Sequence, residues 1–132
     1  MLFGSLRAAS ISTQIAALAP RAATAGVTVQ NAEGLDAPPY YNQDLDTAQP
    51  PPPVARLRAQ VGAADAVLLV TPANNGSVSA VLKNAIDWLS HPRENAALHD
   101  KPALLSADAG RDDGVGTMAG HHLVTVSIRG TR

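Results

Sequence analysis

The sequence predicts an α/β domain, a parallel sheet covered by helices on both faces, and three observations carry that expectation. Ala66–Thr71, AVLLVT, is apolar almost throughout, as a strand buried on both faces must be. Val78, Val81, Leu82, Ala85, Ile86 and Leu89 then recur at helical spacing. Strand-like and helix-like segments alternate along the chain, which favours parallel strands joined by right-handed crossovers.

The elements follow in order. MLF (Met1–Phe3) is the end of a first strand and runs into the loop GSLRAAS. Ile11, Ile15 and Leu18 are spaced for a helix that Pro20 disturbs. Val27 and Val29, bounded by glycines, suggest a second short strand. APPYYNQDLDTAQPPPP has no period and is expected to be a loop, its four consecutive prolines an extended spacer into the next helix. A proline motif for an aromatic groove is the alternative. Val54, Leu57, Val61 and Ala64 mark an amphipathic helix.

After AVLLVT comes TPANNGS (Thr71–Ser77), then the helix through Leu89, with Ser77 the expected N-cap and Pro92 the stop. PALLSA (Pro102–Ala107) is a further strand and opens into DAGRDDGVGTM. The tail AGHHLVTVSIRGTR fits either period: Leu123, Val126 and Arg129 suit a helix, the preferred reading, while VTVSI alternates like a strand. The 132 residues are expected to form one domain, with 45% hydrophobic residues for its core.

Composition removes several functions. Ten Lys+Arg against eleven Asp+Glu leave a net charge of −1, so no broad field attracts nucleic acid or acidic membranes. Without cysteine there is no thiol catalysis, disulfide or thiolate metal site. The absence of a long apolar run or signal-peptide pattern makes a cytoplasmic protein the expectation. The four histidines lack ligand spacing, DAGRDDG lacks the terminal glutamate of a calcium loop, and no GxSxG accompanies Ser77, so metal sites and serine hydrolysis are disfavoured.

Three loops fall at the carboxyl ends of predicted strands, where open α/β sheets bind ligands. GSLRAAS suits a phosphate: Gly4 allows close backbone approach, Ser5, Ser10 and Ser12 offer hydroxyls, Arg7 adds charge, and a helix N-terminus follows. A serine-rich helix cap with a solvated arginine explains the same residues equally well. TPANNGS offers peptide donors and acceptors to the edge of a planar ring, such as an isoalloxazine or a purine, or is simply a polar turn with a helix cap. The third loop is SADAGRDDGVG.

Taken together, GSLRAAS, PYYNQDL, ADAVLLVTPANNGSVSAVLKNAIDWLSHP and KPALLSADAG, in this order and spacing, resemble the NADPH-dependent FMN reductases of the flavodoxin-like fold, from about Phe3 to Leu123. The resemblance implies strand order 2-1-3-4(-5). It implies FMN with its phosphate at Ser5, Arg7, Ser10 and Ser12, its ring against Pro72, Ala73, Asn74, Asn75, Gly76 and Ser77, and a third wall from Ser106, Asp108 and Gly110 with Gly114 and Gly116. NADPH or NADH is then the co-substrate, flavin, quinone or a similar small molecule the acceptor, and a homodimer or homotetramer the assembly.

Against the family pattern, Ala73 and Asn74 replace the usual Glu-Tyr, removing an aromatic surface beside the ring. The first strand is short, and a fifth strand and last helix are expected to be missing, so the chain looks shortened at both ends. Lys83, Asn84, Asp87 and Trp88 belong to a region that in relatives lies near subunit contacts and cofactor, with packing inside the subunit the alternative for Trp88. Asn42 and Asp44 shape a pocket rim or cap a turn. Two functions compete: an FMN-dependent NAD(P)H oxidoreductase working by ping-pong hydride transfer, and a flavodoxin-like interaction module with weak or no flavin binding. A flavodoxin electron carrier is disfavoured because the chain is nearly neutral.

Overall fold

The apolar run forms the strand around which the other elements are arranged. In a computed structural model that describes residues 1–108 and 122–127, the chain order is β1 (Leu2–Phe3), α1 (Ile11–Ala22), α2 (Pro52–Gly62), β2 (Val67–Pro72), α3 (Ala80–Leu89), β3 (Pro102–Asp108) and β4 (His122–Ser127). Single 3₁₀ turns lie at Gln43–Leu45 and Arg93–Asn95.

β2 pairs in parallel with β1, Leu2 opposite Leu69 and Phe3 opposite Val70, and with β3, from Val67 opposite Ala103 to Pro72 opposite Asp108. The three strands therefore point their carboxyl ends to one edge. β4 lies antiparallel along the far side of β3, Pro102 opposite Ser127 and Ala107 opposite His122.

Successive strand residues face opposite sides of a sheet, and the two sides have different cover. Leu2, Val67 and Leu69 pack with Leu57 and Val61 of α2 and with Leu82, Ala85 and Leu89 of α3, joined by Leu35 and Leu98. α1 packs on β1, β2 and β3, and among the described residues none of its side chains joins that cluster, which places it on the opposite face. The result is the expected three-layer α/β arrangement.

Several local expectations change. The Val27–Val29 segment forms no strand. It runs beside β1, where the Met1 amino group donates to the Gln30 carbonyl and the Ala32 N–H donates to the Met1 carbonyl at 2.9 Å. A two-residue β1 offers too little ladder for more, and Val27 stays 56% exposed. Burial holds the Met1 amine below its ordinary pKa.

The tail, expected as a helix, is strand β4 over His122–Ser127. β3 otherwise presents an edge of unpaired peptide groups on that side, and satisfying them outweighs a weak helical period. The position assigned to a missing fifth strand is thus filled, although antiparallel to the rest.

The proline run is only half spacer: Pro52 and Pro53 form the first turn of α2, where a missing N–H costs nothing because no helical acceptor exists for it. α1 continues through Pro20 to Ala22, and its Leu18 is 58% exposed instead of packed. Ser79, not Ser77, caps α3.

Candidate functional site

The two first loops are built against each other. The Gly4 N–H donates to the Val70 carbonyl at 2.7 Å, extending the β1–β2 ladder by one residue. A methyl group on Gly4 would lie 2.7 Å from both Ser79 Oγ and Thr71 Oγ1 and 3.0 Å from Thr71 Cβ, so only glycine fits.

Those two hydroxyls are themselves committed. Thr71 is fully buried, donates to the Pro72 carbonyl at 2.9 Å and accepts the Ser79 N–H at 3.0 Å. Ser79 Oγ accepts from the Leu82 N–H at 3.4 Å as the α3 cap. Thr71 and Ser79 therefore pin both ends of the intervening loop. Sequence reasoning missed this pair; the signal was a lone threonine closing an apolar strand, eight residues before a serine that opens the helix.

Within that frame the chain from Asn74 to Ser77 forms a tight hairpin turn. The Asn74 N–H donates to the Ser77 carbonyl and the Ser77 N–H to the Asn74 carbonyl, both at 2.9 Å. Asn75 and Gly76 have φ of 51° and 73°, the signature of a type I′ turn, for which Asn-Gly is the preferred pair. The amides of Asn74 and Ser77 are thus consumed locally. Among the described residues no partner engages the N–H of Asn75 or Gly76, and residues 74–77 are all exposed. Pro72 and Ala73 are half-buried beside them.

GSLRAAS is a helix cap followed by the first turn of α1, with its arginine exposed. Ser10 is the α1 cap: its Oγ accepts the Thr13 N–H at 3.0 Å and lies 2.7 Å from Thr13 Oγ1. Ser12 is buried in the first turn of α1, at 1% exposure. Ser5 is half-buried and its Oγ accepts the Arg7 N–H at 3.3 Å, while the Arg7 side chain is exposed with no ion pair among the described residues. An open guanidinium, a serine hydroxyl and a helix N-terminus thus share this tip.

The third tip begins where Ala107 and Asp108 lie opposite Thr71 and Pro72. Ser106 is half-buried inside β3, opposite Val70. Gly110, Gly114 and Gly116 lie outside the described residues. The structure brings the start of all three loops to one sheet edge, with the β2 loop in the middle.

A second assembly braces the same helix from the side. Asn84 Oδ1 accepts the Tyr41 N–H at 2.8 Å, and its Nδ2 donates to the carbonyls of Pro39 at 3.0 Å and Pro38 at 3.3 Å. The fully buried Trp88 donates from Nε1 to the Pro39 carbonyl at 2.8 Å. Its ring meets Tyr41 edge-on at 5.0 Å, and Arg58 lies over it at 5.6 Å. Arg58 also donates to the Trp88 carbonyl and pairs with Asp46 at 2.8 Å. Trp88 is packed inside its own subunit, and Asn42 caps the 3₁₀ turn by accepting the Asp44 N–H at 2.9 Å. Lys83 and Asp87 form an i,i+4 pair on the exposed side of α3. PYYNQDL is thereby fixed to α3, leaving Tyr40 85% exposed.

Among the described residues no group of His, Asp and Glu is placed to hold a metal, and no helix is long and apolar enough to cross a membrane. What the edge offers among the described residues is peptide donors, hydroxyls and the Arg7 cation, a chemistry complementary to an anionic ligand with a flat polar rim.

A three-strand parallel core with its loops gathered at the carboxyl edge is the arrangement in which open α/β sheets, flavodoxin-like ones among them, bind ligands. Residues 1–129 match the model of the NADPH-dependent FMN reductase family, and the chain belongs to that family. It is 41% identical over 108 residues to an NAD(P)H-dependent FMN reductase, PA1204, of Pseudomonas aeruginosa, covering 82% of this chain and 58% of that protein. It is 36% identical over 129 residues to a quinone reductase of Pseudomonas putida, covering 97% and 67%. Among solved structures, FerB, a flavoenzyme NAD(P)H:(acceptor) oxidoreductase from Paracoccus denitrificans, superposes with a TM-score of 0.72 at 32% identity, covering 80% of this chain and 57% of that one. The chain spans roughly three-fifths of the length of the relatives it matches, from 57% to 67% in these three.

Proposed function

We propose that the protein is an FMN-dependent NAD(P)H oxidoreductase that reduces a free flavin, a quinone or a similar small acceptor. The observation that carries this reading is the convergence of three parallel strand tips, with Gly4 packed directly on Thr71 and Ser79 so that the first and second loops form one surface. Family membership and the names of the relatives agree with it.

The residues present fit FMN. Arg7, Ser5 and the N-terminus of α1, with Ser10 at the cap and Ser12 in the turn beneath, form the phosphate subsite. Pro72, Ala73, Asn74, Asn75, Gly76 and Ser77 form the ring subsite, in which the unengaged N–H groups of Asn75 and Gly76 are the donors. Ser106, Asp108 and Gly110 belong to the third wall. When bound, FMN supplies the acceptance of hydride and the release of electrons, so the protein needs to contribute only position, electrostatics and exclusion of water. Ala73 and Asn74 put no aromatic side chain beside the ring, and we expect a ping-pong order in which NAD(P)H departs before the acceptor enters. A homodimer or homotetramer in the cytoplasm is the form in which we expect it to work.

Titration with FMN tests the reading. At about 100 times Kd the ligand stabilises a folded protein by about 2.7 kcal/mol, seen as a melting temperature several degrees higher. Anaerobic NADPH then bleaches the flavin absorbance. Arg7→Ala is expected to weaken FMN binding about 10- to 100-fold, the worth of a hydrogen bond to a charged group, while leaving riboflavin, which has no phosphate, unaffected. A protein that stays colourless and gains no stability with excess FMN is the interaction module instead.

A further inference from the structure

We propose that Asn75 is a site of spontaneous deamidation, gated by the hairpin turn and by whatever ligand covers it. The chemistry needs an asparagine side-chain carbonyl within reach of the next residue's peptide nitrogen, and four observations on the sequence and its surroundings favour it at Asn75. Gly76 has no Cβ to obstruct the approach, and nothing lies within 4 Å of where one would be. Its N–H is engaged by no hydrogen bond among the described residues. Both residues are exposed to the water the reaction consumes. Each of the other asparagines, at positions 31, 42, 74, 84 and 95, precedes a residue with a side chain, so Asn75 is the one asparagine in the sequence followed by glycine.

The step balances with water as the only co-reactant. The Gly76 nitrogen loses its proton and attacks Asn75 Cγ, a C–N bond forms, and the side-chain nitrogen leaves as ammonia, closing a five-membered succinimide. Water then opens either carbonyl, giving aspartate or isoaspartate at position 75. No electron is exchanged. The product carries one more negative charge, and the isoaspartate form also adds a backbone carbon inside the turn.

The closed turn opposes this. Ring closure needs the Asn75 ψ and side-chain torsions to bring Cγ onto the Gly76 nitrogen, and the two bonds between Asn74 and Ser77 restrict that swing while the turn is closed. The reaction rate therefore reports turn opening, and a ligand that uses the Asn75 and Gly76 amides slows it. Resting on the proposed function, a new carboxylate at this place repels electron density on the flavin rim and removes the neutral donor geometry, so an aged apoprotein loses flavin affinity while the bound form is preserved.

The experiment is incubation of the folded apoprotein at mildly alkaline pH, with and without saturating FMN, followed by trypsin and mass spectrometry of the peptide from Ala59 to Lys83. The expected result is a mass gain of about one unit localised to Asn75, absent at Asn74, abolished in Asn75→Gln and, in denaturant, at least several-fold slower in Gly76→Ala, at a rate in the folded protein lower than in the same protein unfolded. FMN is expected to slow the gain at least several-fold, and Asn75→Asp to bind FMN at least tenfold more weakly. Conversion at Asn75 in denaturant but none in the folded protein over the same period overturns the site itself. Conversion that FMN does not slow, in a protein that titration shows to bind FMN, overturns the gating. Because the mass gain is read without flavin, its failure is distinct from a failure of the proposed function.

Discussion

Replacing Trp88 by alanine is expected to destabilise the fold by about 3–5 kcal/mol, the cost of emptying a fully buried aromatic site. The indole is at 0% exposure, carries the edge contact to Tyr41 and the overlying Arg58, and donates to the Pro39 carbonyl. Trp88→Phe keeps a ring but loses the donor and part of the volume, leaving the Pro39 carbonyl to the Asn84 amide alone, and is expected to cost about 1–3 kcal/mol from the lost hydrogen bond and the space vacated. Since Trp88 is the only tryptophan, urea unfolding of these variants is followed by circular dichroism. A loss below about 1 kcal/mol for Trp88→Ala would mean that the indole is not the anchor of PYYNQDL. The alanine variant is also expected to free the loop from Pro38 to Asp46, read as faster amide exchange at Tyr41.

Gly4→Ala is expected to destabilise by about 1–3 kcal/mol, the range for forcing a methyl group into a closed space, and to weaken FMN binding as well. The methyl group meets the hydroxyls that fix the β2 loop, so relief requires moving Thr71, Ser79 or β1. Neither hydroxyl is the free end of a long side chain: Thr71 is bonded on both sides and Ser79 caps α3. Urea midpoints give the stability loss, and FMN titration well below the melting temperature gives the binding loss. Unchanged values for both would show that β1 does not press on the β2 loop.

The sequence revealed β2 and α3 because their burial is one-dimensional information: a continuous apolar run and a 3.6-residue period survive without knowledge of neighbours. It revealed the first two loops for a related reason, since glycines and small polar residues at a strand end mark turns and helix caps, which is how the structure uses Ser10, Asn75-Gly76 and Ser79. What stayed hidden depended on partners distant in the chain. Ser77 ends the loop motif and reads as a cap, but the hairpin turn occupies it, and the cap is Ser79, the residue directly before α3, whose N–H also bonds Thr71 Oγ1. The short valine pair at 27–29 has strand composition and lacks a long enough β1 to pair with. The tail carries both periods, and the free edge of β3 decides between them. Asn84 and Trp88 show the same limit: they recur on one helix face, but their acceptors on Pro38 and Pro39 lie more than forty residues away.

The account rests on the Arg7, Asn75 and Asp108 tips acting as one flavin cradle. The most direct test is the amide spectrum of ¹⁵N-labelled protein during FMN titration. The account predicts shifts concentrated at Ser5–Ser10, at Ala73–Ser77 and at Ala107–Asp108, with Asn75 and Gly76 among the largest. Saturating FMN that moves only one of these groups, or amides on another face of the sheet, would contradict it.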